Sequence, residues 1–351
     1  MALTADVKEK IAIEVIKTLV TRFENFPEDA SQNRNAPFHK AFLEAFSDKL
    51  HGKVSDLPFF ISLSSWLHGL NTTLGQVFFE NIAHHISSGE KREYTSKRLG
   101  NLPITQTQRN CIAQIIADLS TSTSRPNLEK ENLLIFSEDD TAIIDAMDFS
   151  ADVFFEDAEK VIAIELKSVK PNSGEMKGEK QKILEGKASL YKKFRNKEIK
   201  FYIGFPFDPT VDPENESVTG FNKSRFLDSI INMNKYFAPI ETLVASELWD
   251  FLSGKEKTME EILEIINAIA KVDFLEKFRF LNANENRNMT EYAKILDAWF
   301  LYSEKELIIN DQKLKFSIKN NRNLTRIYNK TIFDNRGNYV TSRYNELKLL
   351  I

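Results

Sequence analysis

Residues 151–167 read ADVFFEDAEKVIAIELK and place three groups able to act together, Asp152, Glu165 and Lys167. Asp152 opens an apolar extended run, the acidic EDAE cluster reads as a turn, and VIAI then delivers Glu165 and Lys167 on either side of Leu166. Side chains alternate faces along a strand, so Glu165 and Lys167 point the same way. Pairing the two runs as a hairpin brings Asp152 back beside Glu165. Two carboxylates and an ammonium at the edge of a buried sheet are unfavourable without counterparts. A divalent metal and a phosphate supply them. Asp152 and Glu165 are hard oxygen ligands suited to Mg²⁺, which takes few protein carboxylates and keeps several waters. Such a metal lowers the pKa of its water and polarises a phosphoryl oxygen. Lys167 beside it would orient or deprotonate the attacking water and offset phosphate charge.

The Glu-x-Lys spacing recurs at Glu175/Lys177, Glu185/Lys187, Glu198/Lys200 and Glu346/Lys348. The first three lie in loop- or helix-like surroundings, where exposed charge pairs are expected. The last has Asp334 upstream in another β-like run, but Asp334 sits in the turn DNRG and no helix follows to cover a sheet. The bland alternative for 152–167 is an edge hairpin with a surface salt bridge. Glu80, in LGQVFFENIA, is either a further carboxylate near the metal or a solvated helix residue. His84 and His85 are adjacent, so on a helix they point about 100° apart and form no i,i+4 metal pair. Surface or packing roles are expected for both. Trp66 and Trp249 are expected in the core.

The elements around these residues follow from periodicity. Val7, Ile11, Val15, Ile16, Leu19 and Phe23 mark an amphipathic helix over 5–25, and Phe38, Phe42, Phe46 and Leu50 a second. Residues 73–88 and 105–119 give two more, so 1–125 reads as a mostly helical N-terminal region. LLIF (133–136), TAII (141–144), DVFF and VIAIEL are short β-prone runs. Residues 179–197 return to helical spacing before the apolar run FYIGF (201–205). Strand, strand, helix, strand implies a crossover with a parallel last strand. The expected fold class is therefore α/β (α+β), a mixed central sheet flanked by helices. Residues 126–275 are read as this core with its following helices. Residues 276–351 are read as a basic C-terminal region whose runs KLKFSI and TRIYNKTIFDNRGNYVTSRY look β-like, with a hairpin tip at Asn335–Gly337.

The composition bounds the rest. With 42% hydrophobic and 28% charged residues the chain can bury a core beneath an ordinary surface. Cys111 is the single cysteine, which excludes internal disulfides and multi-cysteine zinc sites and fits a reduced, cytoplasmic setting. The N-terminus is charged from Asp6 onward and lacks the apolar stretch of a signal peptide.

Asp152, Glu165-Leu-Lys167, a helix with tyrosine and a parallel strand together resemble the core of PD-(D/E)xK nucleases. The strings IELKSVKPNSGEMKGEKQKIL (164–184), WLHGLNTTLGQVFFENIAHH (66–85) and FYIGFPFDP (201–209) are similar to TdeIII-type type II restriction endonucleases, over roughly residues 60–255. Ala151 stands where the wider pattern often has proline. Lys187, four before Tyr191, replaces the glutamine of some exonuclease branches, which disfavours a processive exonuclease. The resemblance implies Mg²⁺-dependent cleavage of double-stranded DNA with 5′-phosphate products. It further implies a Leu166 carbonyl ligand, a G/C-rich palindrome like the GGNCC of the family's namesake, and a cognate DNA methyltransferase. A palindrome calls for a two-fold homodimer. The alternatives are a structure-selective repair or recombination nuclease and a non-catalytic DNA-binding protein.

DNA contact needs basic surface, although the net charge is −4. Eleven basic residues face four acidic ones between Lys167 and Lys200, and nine face two over 313–351. Lys170, Asn172, Lys177, Lys180, Arg322, Arg326, Arg336, Asn338 and Arg343 are the candidate DNA contacts, for phosphates or, through arginine and asparagine, for bases.

Overall fold

The computed structural model describes residues 3–27, 41–43, 45–54, 56–137, 141–167 and 175–351. Helices α1 (Ala5–Glu24), α2 (Leu57–Thr73) and α3 (Phe79–Ser87) precede strands β1 (Glu90–Tyr94) and β2 (Pro103–Thr105). Helices α4 (Gln106–Ser120) and α5 (Leu128–Ile135) follow, then β3 (Ile143–Asp145), β4 (Phe149–Glu156) and β5 (Lys160–Leu166). Helix α6 (Glu175–Lys193) crosses over to β6 (Glu198–Phe205), and β7 (Thr242–Val244) ends the sheet. The strand order is β1-β4-β5-β6-β7, with β2 and β3 forming a separate pair. β1 and β5 run antiparallel to β4, while β5, β6 and β7 are parallel, so the sheet is mixed as expected.

Local chemistry accounts for the hairpin. The Asp157 carboxylate accepts from the backbone N–H groups of Glu159 and Lys160 at 2.8 and 2.9 Å, closing the turn between β4 and β5. Val161 to Ile164 are all buried, which is why β5 opens as an apolar run instead of an alternation. Helix α6 lies close against the sheet at Gly186, where a Cβ would meet the Phe201 ring at 2.8 Å and the Phe149 ring at 3.1 Å.

The chain's contacts group it differently from its sequence texture. One compact unit holds Met1–Val7 and Phe79–Glu264, and the other holds Lys8–Phe78 and Ile265–Ile351. Helix α3 and strand β1 thus belong with the sheet. Three stretches expected as strands are helical. LLIF ends α5, with Leu133 and Leu134 exposed and Ile135 buried. KLKFSI lies in the helix Asp311–Ile318 and TRIY in the helix Arg322–Tyr328, both in the second unit. Leu314 and Ile318 are buried there while Phe316 is 82% exposed, the signature of a 3.6-residue period. Six alternating residues satisfied both periods, and packing against Leu307, Ile327 and Leu347 selected the helix. The turn at 334–338 does form, but it joins a single bridge, Phe333 to Tyr339.

Candidate active site

The site is built in the first unit by the β4–β5 hairpin. Val153 pairs with Ile164, so the preceding residue, Asp152, comes level with Glu165. The Leu166 N–H donates to Asp152 Oδ2 at 2.9 Å. Toward β1 the ladder slips: Glu90 pairs with Phe154 but Arg92 with Ala151, leaving Asp152 and Val153 together opposite Lys91. A bulge of this kind re-aims a side chain and frees backbone groups from the ladder. The Asp152 carbonyl is met by His84 Nε2 on α3, 2.6 Å away. A carbonyl only accepts, so this ring nitrogen carries the proton.

Asp152 and Glu165 are 8% and 6% exposed. The Lys91 ammonium sits 3.2 Å from Asp152 Oδ1 and 3.1 Å from Glu80. Glu165 Oε1 accepts from Lys182 at 2.9 Å and Lys167 at 3.3 Å, and the Ser150 hydroxyl donates to Oε2 at 3.4 Å. Lys167 also reaches Glu179 at 3.0 Å and Glu175 at 3.6 Å. Burial, then the charge of Asp152, holds Glu165 above the usual carboxylate range. The same two causes raise Glu80, against the pull of Lys91. For Lys167, burial pulls the amine down, but Glu165, Glu179 and Glu175 outweigh it and the net shift is upward. Lys167 is therefore firmly an ammonium at neutral pH.

These residues fit a divalent cation. Glu80, Asp152 and Glu165 offer hard oxygens, and burial and the charge of Asp152 raise two of them, Glu165 and Glu80. A side-chain ammonium, that of Lys91, is already lodged between Asp152 and Glu80 as a cation would be. Among the described residues no three His, Cys, Asp or Glu side chains are grouped to hold an ion on their own. A shell shared with waters and a phosphate is the Mg²⁺ habit.

Asp152, Glu165, Leu166, Lys167 and Glu80 thus come together in one place. The rival Glu346 and Lys348 lie on the helix Thr341–Lys348, and Asp334 caps its own turn by accepting from the N–H groups of Arg336 and Asn338. Lys170 and Asn172 lie outside the described residues. Lys177, Arg322, Arg326 and Arg336 are exposed, and Asn338 donates to Asp334 at 2.9 Å. Two candidate DNA contacts are not on the surface. Lys180 is fully buried between Glu131 and Glu241, and Arg343 is 2% exposed against Glu304. Glu185 and Lys187 correct another expectation, since both are 1% exposed instead of forming a surface pair. Trp249 is buried as expected, and Trp66 is half-buried.

Sequence reasoning missed Lys91, His84, Glu179 and Lys182. The strand EKREY has no apolar alternation to mark it, and a lone histidine bonded to a backbone carbonyl leaves no motif. Glu179 and Lys182 did leave a signal. They share a face of the helix that follows Lys167, three residues apart.

Over residues 3–270 the chain matches the family described as Type II restriction endonuclease, HinfI. It is 44% identical to the type II restriction enzyme MjaII of Methanocaldococcus jannaschii over 374 residues, covering 100% of this chain and 98% of that protein. The resemblance read from the sequence strings pointed to the same enzyme class. With Asp152, Glu165 and Lys167 gathered on the β4–β5 hairpin of a mixed sheet, the chain belongs to the HinfI family of type II restriction endonucleases.

Proposed function

We propose that this restriction endonuclease uses Mg²⁺ to hydrolyse double-stranded DNA at a short, G/C-rich palindrome, leaving 5′-phosphates. The observation that carries the reading is the meeting of Asp152, Glu165 and Lys167 at the β4–β5 edge, with the Lys91 ammonium lodged against Asp152. Asp152, Glu165 and the Leu166 carbonyl would hold the metal, with Glu80 beside them. The bound ion supplies Lewis-acid activation of the phosphate and a more acidic water.

The chain's own groups do the rest. Lys167, held as an ammonium by Glu165, Glu179 and Glu175, orients the attacking water and offsets charge on the phosphate rather than taking a proton. Glu179 and Lys182 brace it from α6. His84 fixes the backbone of Asp152, and the Leu166 N–H fixes its carboxylate. Lys91 neutralises Asp152 and Glu80 before DNA arrives and is placed to meet a phosphate afterwards. The exposed Lys177 on the first unit and Arg322, Arg326 and Arg336 on the second are offered as DNA contacts. A palindromic site is served by a homodimer, and a cognate methyltransferase protects the host's own sites in the cytoplasm.

The G/C-rich site rests on the resemblance to TdeIII-type enzymes. Plasmid DNA incubated with and without Mg²⁺, followed by sequencing of the fragment ends, tests the whole reading. Discrete fragments sharing one palindrome and 5′-phosphates are expected only with the metal. Scattered ends would instead favour a structure-selective nuclease, and binding without cutting a non-catalytic protein.

A further inference from the structure

Three lysines set an ammonium against the carboxylates of the hairpin edge, and one of them is held differently. Lys167 and Lys182 each keep a second hold on Glu179, at 3.0 and 3.4 Å, and their side chains are 18% and 20% exposed. Lys91, on the edge strand β1, is 38% exposed. Its partners among the described residues are Asp152 at 3.2 Å and Glu80 at 3.1 Å, two of the three carboxylates that would hold a metal. The slipped register brings it there, since Asp152 and Val153 lie together opposite Lys91.

Asp152 and Glu80 cannot hold a divalent cation and this ammonium together, because like charges so close in a half-buried place repel strongly. On loading, Lys91 loses both partners at once, whereas Lys167 and Lys182 keep Glu179. Its stem is flexible and its head compact and strongly hydrated, so it can turn out toward solvent. A DNA phosphate brought to the same edge for cleavage supplies the new counter-charge. We propose that Lys91 is passed from Asp152 and Glu80 to a DNA phosphate, and that this exchange makes metal and DNA bind cooperatively. The inference rests on the metal-dependent reading of the site and adds to it how the two ligands are coupled. Each ligand favours the arrangement in which Lys91 has turned away from the carboxylates. A ligand shifts such an equilibrium only by its difference in affinity for the two arrangements, and the resulting coupling is reciprocal. Without DNA, the metal must displace an ammonium that has no other partner, so it binds weakly. Without metal, a phosphate that draws Lys91 away leaves two carboxylates bare beside it, so DNA binds this edge weakly too.

The probe is Ca²⁺, a hard cation of tolerant geometry, titrated calorimetrically into the full chain alone and with a duplex bearing the palindrome read from plasmid fragment ends. Lys91→Met should bind Ca²⁺ about tenfold more tightly than the unsubstituted chain when DNA is absent. The gain in Ca²⁺ affinity on adding the duplex should shrink by about the same factor. Lys91→Arg, which retains the charge, should keep both the weak binding and the gain. Lys182→Met removes an equal charge from Glu165 but spares the exchange, so the gain should persist in it. In the unsubstituted chain, reductive methylation of Lys91, followed by peptide mass spectrometry, should speed up with Ca²⁺ and slow again when the duplex follows. An unaltered DNA gain in Lys91→Met overturns the exchange, whether or not its binding of Ca²⁺ alone has tightened, and leaves the metal reading standing. Binding of Ca²⁺ that is absent throughout, or that survives Asp152→Asn, removes the metal reading and the proposal with it.

Discussion

Glu165 and Lys91 show how the site manages charge one residue at a time. The folded pKa of Glu165 stands above the ordinary 4.5 because burial and Asp152 oppose its ionisation. A carboxyl raised in the fold contributes its full stability below pH 4.5, and that contribution is lost as the pH climbs through the folded value. Metal-free protein should therefore lose melting temperature across that window, and Glu165→Gln should flatten the loss. The same variant should cut DNA about a thousandfold more slowly, the several kcal/mol expected of a metal ligand. A steep, unchanged pH profile in Glu165→Gln would mean the strain lies elsewhere. Lys91→Met leaves Asp152 and Glu80 without their shared ammonium. Its melting temperature should fall by about 1–3 °C at neutral pH, and added Mg²⁺ should restore it.

At the scale of elements, the bulge in β4 matters most. It turns Asp152 out of the ladder toward Glu165 and leaves a carbonyl that His84 caps. His84→Ala should lower kcat by about tenfold with KM little changed, because about 1.4 kcal/mol of positioning is lost and no substrate contact is removed. His84→Gln, which retains a donor, should recover part of it. A pure KM effect would place His84 on DNA instead. The C-terminal helices allow a sharper test of packing. Leu314→Ala should cost about 2–5 kcal/mol in urea unfolding, while Phe316→Glu should stay within about 0.5 kcal/mol. A strand would have put Leu314 and Phe316 on the same face and made both substitutions severe.

For the whole molecule, basic residues counted along a chain separate into those that can reach DNA and those that cannot. Arg343 and Glu304 form a buried pair joined by the Tyr339 hydroxyl, which donates to Glu304 at 2.8 Å. Arg343→Met strands a buried carboxylate, so it should destabilise by about 3–5 kcal/mol and leave the salt dependence of DNA binding unaltered where the protein is folded. Arg322→Ala and Arg326→Ala should each reduce the slope of log K against log salt by about 1 with little change in stability. Unchanged slopes would remove these arginines from the interface. No helix among the described residues is long and apolar enough to cross a membrane.

The hairpin, the crossover helix and the convergence of Asp152, Glu165 and Lys167 are legible in the order of residues alone. Strand alternation, a turn-forming acidic cluster and a buried apolar run are local rules that act within about fifteen residues. Which of many lysines serve the site follows from the packing of the folded chain. Lys91 arrives from a polar strand without alternation, Lys182 from the crossover helix, while Lys180, Lys187 and Arg343 are withdrawn into the interior. The packing also decided that KLKFSI is helical, because six residues carry both periods and the neighbours choose between them. Charge gives no sign in a sequence of the face it will occupy. That depends on which carboxylates, rings and carbonyls the fold brings within about 4 Å of it.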